Sequence, residues 1–113
     1  METYLYFAEN LGANAAGDCC VYPASTFTGI DPISDTSTRI SFKALSGAAA
    51  DDDILVTHVT GKFKQIAEAL ADALSDDNGE LVIFMDEDNT IYSKKLRDLG
   101  CIDGSTALNI TLA

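Results

Sequence analysis

The chain has 113 residues, 47% of them hydrophobic, which suffices for one ordinary hydrophobic core without disulfide bonds or metal. Asp and Glu number 18 against 7 Lys and Arg, and the formal net charge of −11 argues against direct binding to nucleic acid or to anionic membrane surfaces. No apolar run approaches the roughly 18 residues of a membrane-spanning helix, so we expect a single domain over residues 1–113 that does not enter a membrane.

The N-terminal stretch METYLYFAEN has an acid at position 2 and no basic region, which argues against a secretory signal and favours a protein that stays inside the cell that makes it. Residues 2–8 predict a first strand, because aromatic and aliphatic side chains dominate there. One face of this strand would carry Tyr4, Tyr6 and Ala8. Since both faces are apolar, we expect the strand to be central in its sheet or covered by another subunit.

The next part of the chain combines turn residues with a few apolar side chains. Residues 9–18 predict a flexible loop, and residues 19–22 predict a short strand that Pro23 ends or places at a sheet edge. Residues 23–37 contain both prolines and predict a long loop, with a short strand at 27–30 as an option. Loops of this length commonly carry function or contacts. Three apolar side chains would then pack under the loop or contact a neighbouring chain: Phe27, Ile30 and Ile33.

The centre of the chain predicts a hairpin followed by a helix. Residues 38–45, TRISFKAL, alternate as in an antiparallel strand with one solvated face. Residues 54–60 predict its partner, and Thr60 is a candidate N-cap for an amphipathic helix at about 61–76, ended by a left-handed residue at Asn78 or Gly79. The expected buried face of the helix consists of Phe63, Ile66, Ala67, Leu70, Ala73 and Leu74.

The last third of the chain again predicts strands. Residues 81–85 form a continuous apolar run, typical of a central strand, and residues 90–93 predict its hairpin partner. Residues 94–100 predict one basic helical turn ended by Gly100, and 107–112 predict a closing strand with Leu108, Ile110 and Leu112 inward. The whole predicts an α+β fold: a mainly antiparallel sheet, or a small barrel or sandwich, of about seven strands with one helix packed on it.

One segment resembles a catalytic motif. Asp86, Asp88 and Thr90 follow an apolar strand, as in the first motif of the haloacid-dehalogenase-like phosphotransferases. The resemblance implies an Asp nucleophile, an Asp acid/base and a Mg²⁺ ion. That family takes further motifs from long downstream segments, and only 23 residues follow Thr90. A solvated hairpin turn is therefore the favoured interpretation.

Other polar residues are candidates for a ligand or catalytic site. His58 is the only histidine, and Lys62 lies at the predicted helix start. We interpret His58 as half-buried and hydrogen-bonded to a neighbour, because no nucleophile is signalled beside it. The runs Asp51–Asp53 and Asp86–Asp88 offer oxygen ligands for Ca²⁺ but follow no EF-hand pattern, which favours solvated acidic loops. We expect no catalytic set, metal or cofactor.

The three cysteines predict no disulfide and no zinc site. Cys19 and Cys20 are adjacent, which strains a bridge between them, and Cys101 stands alone. The chain has no CxxC spacing. We interpret all three as reduced, mostly buried thiols.

Several segments resemble small uncharacterised proteins encoded in tailed-phage genomes, particularly marine ones: LYFAEN, YPASTFTGIDP, ISFKAL and DDDILVTHVTGK with the helix after it. The resemblance implies a virion or assembly component, capsid-associated or at the head–tail junction, that works as a ring or array in the virion or the host cytoplasm. It implies other copies of the chain, and other virion proteins, as partners.

Two functional hypotheses follow. The first is a non-enzymatic structural protein that self-associates, with contact residues among Tyr4, Tyr6, Phe27, Ile30 and Ile33. The alternative is a small cellular ligand-binding module or minor enzyme with a site near His58, Lys62 and Asp86.

Overall fold

The computed structural model of the protein describes residues 2–9, 19–75, 79–87 and 89–113. All but the first residue of the predicted loop at 9–18 lie outside these ranges. The predicted helix end at 76–78 and the second acid of the Asp-x-Asp-x-Thr segment, Asp88, lie outside them as well.

The described residues form an α+β fold with two sheets of four strands each. In chain order the elements are β1 (Tyr4–Ala8), β2 (Cys19–Pro23), a 3-10 turn (Ala24–Thr26), β3 (Phe27–Ser34), β4 (Ser37–Phe42), β5 (Asp52–Thr57), α1 (Phe63–Leu74), β6 (Leu81–Asp86), β7 (Ile91–Tyr92), α2 (Lys94–Asp98) and β8 (Ala107–Thr111). The first sheet has the order β2-β1-β6-β7 and the second the order β3-β4-β5-β8. Only β1 and β6 pair in parallel; all other described neighbours are antiparallel, as predicted.

Aromatic side chains join the two sheets in one core. Tyr22 of β2 stacks on Phe42 of β4, with ring centroids 4.5 Å apart and an angle of 12° between the rings. Phe7 of β1 also contacts Phe42, at 5.7 Å, and Phe84 of β6, at 5.5 Å. These ring contacts stabilise the fold beyond the burial of their area. The inner faces of both sheets therefore share one core, in the manner of a sandwich that does not close into a barrel.

The sequence prediction of a long loop at residues 23–37 was wrong in its main part. The structure has the strand β3 there, paired with β4 through a hairpin at Asp35 and Thr36. Pro32 is tolerated because β3 lies at the edge of its sheet, where a missing N–H donor leaves no ladder partner unsatisfied. The register also shifts between Phe27 and Gly29 and between Pro32 and Ser34. This strand brings the described strands to eight rather than about seven.

The main helix is shorter than predicted and begins later. Thr60 is not its N-cap: Lys62 precedes the first helical residue, and no side chain caps it. The reason is a turn at Gly61, whose φ is +77° and whose N–H donates to Asp35 O. Of the predicted apolar face, Ile66, Leu70 and Ala73 are buried, while Phe63 is exposed. Ala69, which was not predicted, joins the buried set instead.

The remaining elements follow the sequence closely. The hairpins β4–β5 and β6–β7 form as expected, and β6 is a central strand, but β4 ends at Phe42 rather than at residue 45 and β5 runs from Asp52 to Thr57 rather than over 54–60. The basic turn is α2, whose N-cap Ser93 accepts a hydrogen bond from Leu96 N, and Gly100 follows it with a φ of +71°. Leu112 was predicted to face inward but lies beyond β8 and is exposed. No helix of the described residues is both long and apolar enough to cross a membrane.

Candidate functional site

The outer face of the first sheet is apolar. Leu5 and Phe7 of β1 are fully buried, so the alternating Tyr4 and Tyr6 point away from the core. The strand register places Leu81 beside Tyr4, Ile83 beside Tyr6 and, on the other side, Val21 beside Tyr6. We call this set the apolar face: Tyr4, Tyr6, Val21, Leu81 and Ile83. Tyr4 is 42% exposed, Val21 38% and Leu81 57%, which is unusual for neighbouring large apolar side chains.

The outer face of the second sheet is mostly polar by contrast, although Leu55 of β5 also lies there, half-buried. Its central strand β4 presents Arg39 and Ser41, and Arg39 pairs with Asp31 of β3 at 3.0 Å. Ser41 Oγ donates to Asp53 Oδ1 of β5 at 2.7 Å, and Asn109 of the edge strand β8 is exposed. One sheet therefore follows the usual pattern of a solvated antiparallel face, and the other does not.

The five predicted contact residues do not lie on one surface. Tyr4 and Tyr6 belong to the apolar face. Phe27 and Ile30 of β3 are half-buried and pack against the core, and the Phe27 ring lies 5.9 Å from that of Phe42. Ile33 is exposed near the β3–β4 hairpin. Val21, Leu81 and Ile83 were not singled out from the sequence, because only the strand register brings them beside the two tyrosines.

His58 is part of the core rather than half-buried. Its exposed fraction is 1%, and it continues the inward alternation of β5 one residue past the strand end. The carbonyl of Val59 can only accept, so Nδ1 donates to it, at 2.9 Å. In the neutral ring Nε2 then accepts from the hydroxyl of Thr38, also at 2.9 Å. Both ring nitrogens are therefore engaged inside the protein, which leaves neither for a substrate.

The other two residues of the alternative site lie apart. The Lys62 side chain lies near Gly100: a Cβ added to Gly100 would be 3.8 Å from Lys62 Nζ. Asp86 ends β6, and its carboxylate accepts from the backbone and side-chain nitrogens of Asn89. Within the described ranges no hydrogen bond or ion pair joins Asp86 to His58 or Lys62. The described part of the Asp-x-Asp-x-Thr segment forms the β6–β7 hairpin turn, with Thr90 at a φ of +54°.

Glu87, in the same turn, is the most perturbed carboxyl of this region. Tyr92 donates to its Oε2 at 3.2 Å, while Oε1 is buried without a partner. Burial raises the pKa of Glu87 above its ordinary value, although the Tyr92 hydrogen bond acts in the opposite direction. Burial, with the nearby carboxylate of Glu87, also raises the pKa of Tyr92 to about 12.

Asp52 is a buried carboxylate that holds several chain segments together. Tyr22 donates to its Oδ2 at 2.9 Å and Leu45 N at 3.2 Å, while Ala113 N donates to Oδ1 at 2.8 Å. Burial, and secondly the bond to Asp52, raises the pKa of Tyr22. Nearby, the buried carboxylate of Glu9 accepts from Ile110 N and ties β1 to β8. These contacts give both acids structural partners.

The acidic run at residues 51–53 does not converge on a point. Asp51 accepts from Thr28 Oγ1 at 2.6 Å and Asp53 from Ser41, whereas Asp52 turns into the core. Among the residues that the structure describes, no group of three or more His, Cys, Asp or Glu side chains is placed to hold a metal ion. The geometry gives Ca²⁺ no site at this run.

All three cysteines are free, as predicted. Cys20 and Cys101 are buried and Cys19 is half-buried. Burial raises the pKa of both the Cys20 and the Cys101 thiol, although the hydroxyl of Tyr22 and the ammonium of Lys62 respectively act against it. A raised pKa disfavours the thiolate, so neither buried thiol is an activated nucleophile.

A cleft of about 470 Å³ lies beside β6. Its walls come from α1 and from the start of α2, and its lining comprises Ala69, Asp72, Ala73, Ser75, Val82, Ile83, Ser93, Lys94 and Lys95. Lys94 forms an ion pair with Asp98 at 2.5 Å. The Lys95 side chain makes no hydrogen bond or ion pair with the described residues, although its carbonyl accepts from Leu99 N. The lining thus carries one acid, Asp72, and two bases, of which Lys94 is neutralised by Asp98.

Comparison of the chain with protein-family models, with curated proteins and with solved structures finds no match.

Proposed function

We propose that this protein is a non-enzymatic structural protein that self-associates through the apolar face. The observation that carries the proposal is the contrast between the two sheets: the second covers its outer face with Arg39, Ser41 and Asn109, while the first presents Tyr4, Val21 and Leu81 to solvent. A surface of neighbouring apolar side chains is stabilised when a partner removes it from water. The geometry of His58, Lys62 and Asp86 favours no catalytic alternative.

A second copy of the chain is the partner that best fits the face. The net charge of −11 would attract a basic partner, but the acid that the register places on this side of the sheet, Asp86 beside Ala8, is buried and accepts hydrogen bonds from Asn89. Two copies would therefore meet where the described strands expose no charge. A two-fold axis would place the same five side chains on both sides of the contact, as in an isologous interface.

The size of the apolar face sets the expected strength. Five side chains are fewer than the roughly 20–30 residues a side of a standard stable interface. We therefore expect reversible association with a dissociation constant in the micromolar range or weaker. Such contacts suit a protein that works as many copies held in an assembly.

Sedimentation velocity over a range of protein concentrations tests the proposal. We expect the wild-type sedimentation coefficient to rise with concentration. Leu81→Glu should abolish that rise, because it places a charge within the contact. Asn109→Glu, at an exposed position of the second sheet, is the matched control and should sediment as the wild type does. A wild-type chain that stays monomeric at all concentrations, or equal effects of both variants, would overturn the proposal.

We further propose, from the sequence resemblance, that the assembly belongs to a phage virion or its assembly pathway, with other virion proteins as partners. A ring or array of such a component would use weak contacts many times over. The genes that flank the coding sequence provide a direct test. Portal, capsid or tail genes on both sides would support the assignment, and genes of cellular metabolism would contradict it.

A further inference from the structure

The strand β6 is only partly paired on one side. It runs from Leu81 to Asp86 and pairs along its length with β1, but β7 covers only Met85 and Asp86. Ser93 N donates to Phe84 O, which covers one residue more. Residues 81–83 therefore have no strand partner on that side among the described elements. An open edge of this kind is a template for pairing with another strand.

The cleft lies along this open edge. Val82 and Ile83 are successive residues of a strand, so their side chains point to opposite faces of the sheet. Both line the cleft, which means that the cleft borders the edge of β6 rather than one face. Ser93–Lys95, which also line the cleft, lie at the Phe84 end of this edge, because Ser93 N donates to Phe84 O before the chain enters α2. Residues 81–83 therefore keep an edge without a strand partner among the described elements.

From this edge we propose that two copies pair β6 with β6, antiparallel about a two-fold axis at Val82. The proposal rests on the proposed self-association and adds a second contact, edge to edge, that leaves the apolar face free to meet a further copy. Leu81 of one copy would lie opposite Ile83 of the other, and the two Val82 residues would lie opposite each other. The first sheets would then form one continuous sheet, and the apolar faces of both copies would become one surface.

Charge complementarity favours a second copy as the occupant. Glu80 is exposed and immediately precedes β6. In the antiparallel register, Glu80 of the second copy would lie opposite Phe84. Ser93 N donates to Phe84 O at that position, and Lys95 lies two residues after Ser93 in the chain. The two-fold axis repeats this contact, so Glu80 of each copy would attract Lys95 of the other. Such complementary charges fix the register of an interface.

Cross-linking at position 82 tests the pairing. In a Cys19→Ser background, Val82→Cys would bring two thiols together across the axis, since directly opposite residues have Cβ atoms about 4.5–5.5 Å apart. We expect most of the Val82→Cys chain to become a disulfide-linked dimer on mild oxidation at concentrations where the wild type associates. Leu45→Cys, in the loop after β4 and more exposed than Val82, is the control and should stay monomeric. Thermal melting checks that both variants fold.

A charge exchange gives a second, independent test. Glu80→Lys and Lys95→Glu should each weaken association about tenfold, because each change turns two attractions into repulsions. The double variant should restore the wild-type affinity to within about twofold. If the wild type associates but Val82→Cys does not cross-link, or the double variant is as weak as the single ones, edge pairing is wrong and the proposed function still stands. If the wild type remains a monomer, both fail.

Discussion

Asp52→Ala is the substitution that should destabilise this fold most clearly through a polar group. The buried carboxylate of Asp52, the first residue of β5, accepts from Tyr22 Oη, Leu45 N and Ala113 N. This one side chain therefore connects β5 to β2, to the loop after β4 and to the segment after β8. Alanine removes all three acceptor contacts and fills none of the space. The hydroxyl of Tyr22, which is fully buried, then keeps only the Cys20 sulfur, a weak acceptor, as a partner.

The magnitude follows from what each donor can do after the change. A buried donor left unsatisfied costs about 1–3 kcal/mol, and the Tyr22 hydroxyl falls in this range because sulfur is only a weak acceptor. Leu45 and Ala113 are exposed residues, so their N–H groups can turn to water, and each loss is nearer to about 1 kcal/mol. We therefore expect Asp52→Ala to lower the free energy of unfolding by about 3–5 kcal/mol. Tyr22→Phe, which removes one of the three donors, should cost about 2 kcal/mol.

Urea denaturation of the two single variants and the double variant measures both numbers. The double variant has no Tyr22 hydroxyl to leave unsatisfied. Its loss in free energy of unfolding should therefore be smaller than the sum of the two single-variant losses by about 1–2 kcal/mol. Asp53→Ala, which changes the adjacent and more exposed acid, is the matched control and should cost under about 1 kcal/mol. A loss below about 1 kcal/mol for Asp52→Ala, or strict additivity with Tyr22→Phe, would refute the assigned role.

Three further outcomes are expected. Glu87→Gln should raise the melting temperature at pH 7 but not near pH 4. Burial raises the folded-state pKa of Glu87 above its ordinary 4.5, so the stability that Glu87 contributes is present below pH 4.5 and is lost as the pH rises through the folded-state pKa. A melting temperature of the variant equal to or below that of the wild type at pH 7 would count against this. Thr38→Val should cost about 1–3 kcal/mol in urea denaturation, because it removes the partner of His58 Nε2, whereas the half-buried Thr57→Val should change stability little. In the folded protein a thiol reagent should modify Cys19 first, with Cys20 and Cys101 reacting only on unfolding; three equal rates would contradict their burial.

The sequence predicted the fold class because its strongest patterns are local. The alternation at Thr38–Leu45, the apolar run of β6 and the glycine after α2 each specify a structure within a few residues, and all three appear as expected. Pro32 misled the prediction at β3, since the sequence does not show whether a strand lies at a sheet edge, where proline is tolerated. Thr60 had the composition of an N-cap, but the turn at Gly61 depends on a bond to Asp35, 26 residues earlier in the chain.

The candidate site was predictable only in part, because local sequence patterns do not show which distant strands pair. Alternation alone places Tyr4 and Tyr6 on one face of β1. Leu81 and Val21 join them through strand pairing between segments that are distant in sequence, which no local pattern reveals. Phe27 and Ile30 had the composition of contact residues, but β3 turns them toward Phe42 and the core. The buried role of Asp52 was equally hidden, because its neighbours Asp51 and Asp53 make the run look like a solvated loop.

Hydroxyl-radical footprinting at low and high protein concentration tests the central claim most directly, because it measures side-chain exposure on the apolar face itself. If copies associate through this face, oxidation of Tyr4 and Leu81 should fall severalfold as the concentration rises. Leu45 and Leu112, which are similarly exposed elsewhere, should be oxidised equally at both concentrations. Unchanged oxidation of Tyr4 and Leu81 at concentrations where the chain associates would show that the contact lies on another surface and would contradict the account.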